Sequence, residues 1–277
     1  MIRLSLAIPA SILIVAVAFP SSSQTNPEPA ETAAFPSSMQ SGAQMSTANA
    51  PGPRTLSEDE LASLCMVRKQ YYEAATIYKR LSDQNPKNAL YLNRLGIALH
   101  QQTALTQALK YYQKSLKADP KYADAQNNVG TIWYERKRYG KAIRAYEKAI
   151  ALRSDAPSFY MNLGYAYFAE KNYEHSIASF RQALALDPTA FDRNGSRGGT
   201  LIQDRSVMED RGQFYFLLAK SFAISGNVER CVLYLRKAKD EGYKNMEQIR
   251  KDPSFANVVS NPEIQSILET QTAVAQP

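Results

Sequence analysis

Histidine and cysteine are the residue types that would supply metal ligands, nucleophiles or general bases, and this chain of 277 residues has two of each. Neither His100 nor His175 has a second histidine one helical turn away, so the zinc-hydrolase helix motif is absent. Arg197-Gly198-Gly199 is too short to predict a phosphate-binding loop. For both histidines we expect a solvated or half-packed surface role. The sequence therefore predicts a protein that is not an enzyme and holds no cofactor or metal.

The chain is basic, with a formal net charge of +7, and its densest basic run is Arg136-Lys137-Arg138, followed by Lys141 and Arg144. Such a run can attract nucleic acid, anionic lipid or an acidic partner. It is not interleaved with the aromatic residues on which single-stranded nucleic acid stacks, so we predict no nucleic-acid partner. Two interpretations stay open. The run is a solvated turn between helices, or it is part of a basic face that binds anionic lipid or polysaccharide.

The elements that carry these residues follow a repeat of 34 residues, because the segments 88–96, 122–130 and 156–164 fall into register at that spacing. Apolar residues recur within each unit at steps of three and four, which predicts two amphipathic helices per unit. We expect the small residues to let paired helices touch backbone to backbone, and the bulky residues to fill the space between pairs. The small places hold Gly96, Gly130 and Gly164, then Ala108, Ala142 and Ser176; the bulky places hold Leu99, Trp133 and Tyr167, then Tyr112, Tyr146 and Phe180.

This pattern resembles the tetratricopeptide repeat (TPR) family. The resemblance implies an all-α fold, a right-handed superhelical solenoid of stacked antiparallel helix pairs with short C-terminal capping helices. Cys65 and Cys231 would fall in the first and last units, beyond the Cα separation of about 7 Å that a disulfide allows, so we expect two buried free thiols. The units are 55–88 (degenerate), 89–122, 123–156, 157–190 and 212–245 (degenerate), followed by capping helices over 246–270.

The same resemblance implies a function. In this family the first helices of successive units line a concave groove that holds an extended peptide or a partner helix, and aromatic side chains are suitable anchors. We therefore predict a non-catalytic scaffold or adaptor whose partner is a protein or peptide, with no small-molecule substrate. Carried over place by place, the contacts would come from Asn93, Ile97 and His100, then Asn127, Thr131 and Tyr134, then Met161, Tyr165 and Phe168, then Phe216 and Lys220.

Two further asparagines carry a sharper implication of the resemblance. Some family members have an asparagine in each unit that grips the backbone of the ligand, and Asn128 and Asn162 match it, with Arg94 at the same place one unit earlier. An asparagine amide can donate to and accept from one peptide unit, so such a grip is physically reasonable. The alternative is that these side chains only tie adjacent first helices together. Both interpretations stay open.

The N-terminal region predicts export. A short basic opening precedes an apolar run over residues 4–19, which is shorter than the roughly 20 residues of a membrane-spanning helix. We predict a signal peptide over residues 1–23, cleaved after Ala18 or Ser23, with an uncleaved inner-membrane anchor as the alternative. Residues 24–54 are rich in Pro, Ser, Ala and Gln and predict a disordered linker. We therefore expect a periplasmic protein, with possible envelope or membrane association.

An insertion over residues 191–211 interrupts the array before its fifth unit. Loops of this length are uncommon and are often functional or disordered. A folded excursion that contacts the groove and a tolerated surface insertion are both consistent with the sequence.

Overall fold

The computed structural model describes residues 55–191 and 210–272, and both stretches are helical, with no strand in either. The predicted signal peptide and linker lie outside the described residues, as does the insertion between positions 192 and 209. Across the described ranges no helix has the length and apolar character needed to cross a membrane. The helices are α1 (Glu58–Val67), α2 (Tyr71–Gln84), α3 (Ala89–Gln101), α4 (Leu105–Ala118), α5 (Ala123–Glu135), α6 (Tyr139–Leu152), α7 (Pro157–Ala169), α8 (Tyr173–Leu186), α9 (Arg211–Ile224), α10 (Val228–Asp240) and α11 (Pro262–Thr272).

The helices pack in the order of the chain. Each odd-numbered helix from α1 to α9 pairs with the helix that follows it, and each second helix also packs on the first helix of the next pair. First helices additionally contact one another, α3 with α5 and α5 with α7. A stack held by such nearest-neighbour contacts is a solenoid. The predicted all-α solenoid of helix pairs is therefore confirmed.

Polar side chains fix where several helices begin. Ser57 and Glu60 form a capping box at α1, in which the Glu60 carboxylate accepts from the Ser57 backbone N–H at 2.9 Å. Asn88 caps α3 by accepting from the Tyr91 N–H at 3.2 Å, and Asn227 caps α10 in the same way. Each cap satisfies a backbone donor that has no partner within the helix.

A tight turn joins the two helices of each pair, and one residue of the turn has a left-handed backbone. In the first four pairs this residue recurs every 34 positions with φ between 56° and 61°, although none of the four is glycine. The fifth pair has Gly226 there, with φ 77°. In the third turn the Arg138 N–H donates to the Trp133 carbonyl at 2.8 Å, which closes the turn. The four non-glycine residues are Lys69, Thr103, Lys137 and Lys171.

Glycine recurs at the same place in the three central units for a steric reason, which differs from the expected close contact between helix backbones. A Cβ built on Gly96 would lie 2.5 Å from Cε1 of Tyr112, and one on Gly130 would lie 2.6 Å from Cε1 of Tyr146. The ring of Phe180 covers Gly164 in the same manner. The expected backbone-to-backbone contact is therefore wrong at this place. Each glycine instead makes room for the fully buried ring of its own second helix.

The C-terminal segment covers the last helix pair. It forms two 3₁₀ helices, Met246–Arg250 and Pro253–Phe255, and then α11, so only the last of the predicted capping helices is an α-helix. Asp252 and Asn261 each accept a hydrogen bond at 2.9 Å from the backbone N–H two residues ahead. They thereby cap the helices whose first residue is the proline that follows them. The apolar side chains of this segment join those of α9 and α10 in one core, namely Met246, Ile249, Phe255, Val258, Ile264, Ile267 and Leu268.

Candidate partner-binding face

The thirteen residues predicted to contact a partner lie on the four first helices α3, α5, α7 and α9. Ten of them are buried, whereas Ile97 and Tyr165 are half-buried and the Lys220 side chain is 25% exposed. Their contacts place most of them in an asparagine network, an aromatic cluster or a pair that faces the C-terminal segment. As partner contacts all thirteen stay predictions, because what the structure provides is their intramolecular surroundings.

The asparagine network joins three first helices. Asn128 Nδ2 donates to Asn93 Oδ1 at 2.9 Å, which links α5 to α3, and Asn162 Nδ2 donates to Asn127 Oδ1 at 3.0 Å, which links α7 to α5. A longer contact of 3.4 Å from Asn127 Nδ2 to Asn128 Oδ1 joins the two pairs. None of the four side chains is more than 2% exposed. This geometry is the inter-helix tie that the sequence left as an alternative.

Thr131 and Tyr134 lie beside this network on α5. Thr131 Oγ1 is within 3.3 Å of the Asn127 carbonyl and 3.4 Å of the Tyr146 hydroxyl. Tyr134 packs against Tyr139 of α6, with ring centroids 5.2 Å apart. Both side chains therefore help to hold the middle pair together.

An aromatic cluster joins the fourth pair to the fifth. Phe214 of α9 stacks on Tyr165 with centroids 5.5 Å apart and meets Phe168 edge to face at 5.4 Å. Phe180 of α8 approaches Phe214 at 5.9 Å. Met161, on the same helix as Tyr165, is 4% exposed. The two predicted anchors Tyr165 and Phe168 thus contact the chain's own next unit, across the point where the insertion departs.

Phe216 and Lys220 face the C-terminal segment. Phe216 stacks on Tyr243 with ring centroids 4.4 Å apart, and Lys220 Nζ donates to Asp252 Oδ2 at 2.6 Å. Burial alone would raise the pKa of Asp252, but the hydrogen bonds from Lys220 and Ser254 outweigh it and hold that pKa below its usual 3.8. These two α9 side chains therefore fix the capping segment in place.

The histidines have different surroundings. His175 is exposed, with Nδ1 2.8 Å from Asn172 Oδ1, as a surface residue should be. The predicted surface role is wrong for His100, which is 6% exposed. Its Nε2 lies 2.7 Å from Glu135 Oε1, and its Nδ1 lies 3.3 Å from the Tyr112 hydroxyl. His100 is buried because the next unit, which contains Glu135, covers the end of α3. The apolar pattern within a single unit does not reveal a contact made by the next one.

The cysteines and the basic run were the other residues that could have carried chemistry or ligand binding. Cys65 and Cys231 are buried and free, as predicted, and burial raises the pKa of the Cys231 thiol to about 12. The described residues contain no group of three His, Cys, Asp or Glu side chains that could hold a metal ion. The basic run at Arg136 begins in the turn between α5 and α6, where Arg136 Nη2 donates to Thr106 Oγ1 at 2.9 Å.

Solved structures with similar folds include MamA 41-end from Desulfovibrio magneticus RS-1, which is 19% identical and has a TM-score of 0.46, covering 66% of this chain and 92% of that chain. YrrB, described as a TPR protein with an unusual peptide-binding site, is 14% identical with a TM-score of 0.44, covering 72% of this chain and 92% of that one. The first TPR of Spaghetti (RPAP3) bound to HSP90 peptide SRMEEVD is 26% identical with a TM-score of 0.37, covering 38% and 82%. No curated protein matches the sequence.

Three family models match the chain. One, described as TPR repeat, matches residues 130–170, and two described as tetratricopeptide repeat match residues 157–190 and 68–123. These matches fall on the helices α2 to α8, and none of the three models describes a catalytic family. Together with the helix pairing and the buried glycine–ring contacts, they show that the chain contains tetratricopeptide repeats, which the models match over residues 68–123 and 130–190.

Proposed function

We propose that this chain is a non-catalytic scaffold that binds a protein or peptide along the face formed by its first helices. The observation that carries the proposal is the asparagine network, which holds α3, α5 and α7 side by side. Three first helices in a row present one continuous face on one side of the stack. An elongated segment of a partner can contact all three at once.

The accessible side chains of this face include apolar ones on α3 and α7. Leu90 is 39% exposed and Ile97 is half-buried, and both lie on the same side of α3 as Asn93 because they are three and four residues from it. Tyr165 is half-buried on α7. A partner with apolar side chains would bury this surface, and an aromatic ring such as that of Tyr165 is a typical affinity anchor. Contacts at Asn128 or Asn162 would have to compete with their existing hydrogen bonds.

The test is a selection of peptides from a phage-displayed library of dodecapeptides, followed by hydrogen exchange of the complex. We expect the selected peptide to slow exchange in α3, α5 and α7. Tyr165→Lys should weaken its binding, whereas Ala178→Lys, which adds the same charge at an exposed position of α8, should not. Circular dichroism must show that both variants keep their helices. Protection confined to second helices, or equal binding by both variants, would rule out this face.

We also propose that the protein is exported, because a short basic opening precedes an apolar run of limited length at the N-terminus. N-terminal sequencing of the protein purified from cells tests this. A mature chain that starts at Phe19 or Gln24 would support signal cleavage. A chain that keeps Met1 and sediments with membranes would support the uncleaved anchor instead.

A further inference from the structure

Two neighbouring second helices carry exposed rows of basic side chains. On α4 these are Lys110, Lys114 and Lys117, at steps of four and three residues, and every one is exposed. On α6 the steps are three and four, and again all members are exposed. Equivalent places in stacked units face the same way, and two residues of the α4 row have counterparts 34 positions later in the α6 row. The α6 row consists of Lys141, Arg144 and Lys148, and we call the six residues the basic rows.

The basic rows lack the acidic partners that other basic residues have. Within the described part of the chain, no member forms an ion pair, and α4 has no acidic residue at all. The one acidic residue of α6, Glu147, accepts a hydrogen bond from the Tyr167 hydroxyl at 2.8 Å. By contrast, ion pairs occupy basic residues of other helices, including Lys79–Asp83, Arg80–Glu58, Arg94–Asp59, Arg211–Glu241, Lys220–Asp252 and Arg236–Glu263.

Helix stability does not account for the basic rows. Lys110 and Lys114 are four residues apart, as are Arg144 and Lys148, and like charges at that spacing destabilise a helix. Two members gain some compensation, because Lys114 Nζ lies 4.9 Å from the Tyr111 ring and Lys141 Nζ lies 4.6 Å from the Trp133 ring. The charges of the other four members are exposed to solvent. An anionic ligand would compensate it.

The size and surroundings of the basic rows narrow the kind of ligand. Each row extends about 10 Å along its helix, and the second helices before and after these two, α2 and α8, carry both signs of charge. A membrane-binding face would add apolar side chains that insert between lipids, yet Leu152 at the end of α6 is the one large apolar side chain on α4 and α6 that ranks as exposed. A second copy of this chain, at +7, would be repelled.

From this geometry we propose that the basic rows bind an acidic protein segment, with carboxylates about one helical turn apart. The proposal goes beyond the scaffold function proposed above, because it concerns the second helices rather than the face of α3, α5 and α7. Failure of one does not affect the other. Lysine dominates the basic rows, and its flexible point charge suits carboxylates that vary in position.

The test uses a fluorescently labelled helical peptide of alanine and glutamine with four glutamates spaced three and four residues apart, beside a version with glutamine in place of every glutamate. Anisotropy should show saturable binding of the acidic peptide at 0.1 M salt and loss of binding at 1 M, since the Debye length falls from about 10 Å to about 3 Å. Lys110→Glu/Arg144→Glu should weaken binding about tenfold or more. These side chains are exposed, so the variant should fold, which circular dichroism checks.

The matched control is Lys244→Glu/Lys251→Glu, which changes the net charge equally at exposed positions beyond α10. It should bind the acidic peptide within about twofold of the unaltered chain, as expected for charges farther away than a Debye length. An equal loss in the control, equal binding of the glutamine peptide, or no binding of the acidic peptide at 0.1 M salt would overturn the proposal. Binding to phosphatidylserine vesicles without binding to the peptide would also overturn it, in favour of a membrane face.

Discussion

At the scale of single residues, each central helix pair depends on a ring that lies directly on a glycine. Tyr112, Tyr146 and Phe180 are fully buried, and each lies against the glycine sixteen positions before it in the same pair. No other residue type leaves that space, because even a methyl group would enter the ring's van der Waals radius. The glycine is needed for the volume it leaves free, since its backbone is helical.

Gly130→Ala should therefore destabilise the protein despite the better helix propensity of alanine. Its Cβ would lie 2.6 Å from the Tyr146 ring, and such overpacking typically costs about 1–3 kcal/mol, against a propensity gain of up to about 1 kcal/mol. Urea unfolding followed by circular dichroism measures the difference. The control is Gly140→Ala on α6, where the nearest atom to an added Cβ is 3.9 Å away, and it should be neutral or slightly stabilising. Equal stability of the two variants would contradict the steric argument.

Asp252 supports a prediction about pH at the same scale. Its folded-state pKa is lower than its usual 3.8, so the Lys220–Asp252 pair stabilises the protein above about pH 4, and the contribution is lost as the pH falls through the folded-state value. Asp252→Asn keeps the cap on Ser254 but removes the ion pair, which is partly exposed, so it should cost about 1 kcal/mol at pH 7.

Urea unfolding at pH 7 and at pH 3 would test this. The difference between Asp252→Asn and the unaltered protein should shrink at pH 3, because this pH lies below the usual 3.8 and the unfolded chain then binds a proton more readily than the folded carboxylate does. Lys220→Gln is the matched variant and should show the same trend, since it removes the other half of the pair. A difference that stays constant across the two pH values would exclude the ion pair as its cause.

At the scale of helices, the first helices are held in register by side-chain amides rather than by apolar packing alone. Counted from the first residue of each unit, at positions 89, 123 and 157, the donor asparagine is in the sixth place. Its acceptor is in the fifth place of the unit before, so the bonded residues are 35 apart rather than 34. The network ends where Met161 occupies the fifth place of α7. Buried amides left without partners are costly, so this network fixes which faces of α3, α5 and α7 meet.

Asn128→Ala should destabilise the protein by about 1–3 kcal/mol, because it leaves the buried Asn93 amide oxygen without its donor. The double variant Asn93→Ala/Asn128→Ala should cost less than the sum of the two single changes, since both remove one bond. Urea unfolding of the four proteins in this cycle measures the coupling. Strict additivity would mean that the two side chains do not stabilise each other.

At the scale of the whole molecule, the repeat predicted the helix pairs well because the glycine–ring contacts that define each pair lie within one unit. The glycines at 96, 130 and 164 and the rings that cover them recur in every central unit, so the period alone locates them. His100 and the asparagine pairs were harder, since their partners belong to the next unit and a single-unit pattern does not include them. The sequence located the candidate face on the first helices. It did not reveal that Tyr165 and Phe168 contact Phe214, because that contact crosses the insertion.

The same linear organisation predicts how the molecule responds to the loss of one junction. Phe214 contacts Tyr165, Phe168 and Phe180, so Phe214→Ala removes the aromatic cluster that joins the fourth pair to the fifth. Loss of a buried phenylalanine typically costs about 3–5 kcal/mol. In a stack of nearest-neighbour contacts this cost falls on the adjacent units. Native-state hydrogen exchange should therefore become faster in α9, α10 and α11, while α3 and α5 keep their protection.

Phe159→Ala provides the matched control, because Phe159 is fully buried between the third and fourth pairs and packs with Ala123, Ala149 and Ala156. Its loss should accelerate exchange around α6 and α7 instead, so the two variants should give different exchange maps. Uniform acceleration along the whole chain in both would show that the array opens as one cooperative unit. In that case the fifth pair and its cap could not be released separately, and a partner bound on the first helices would stabilise every unit equally.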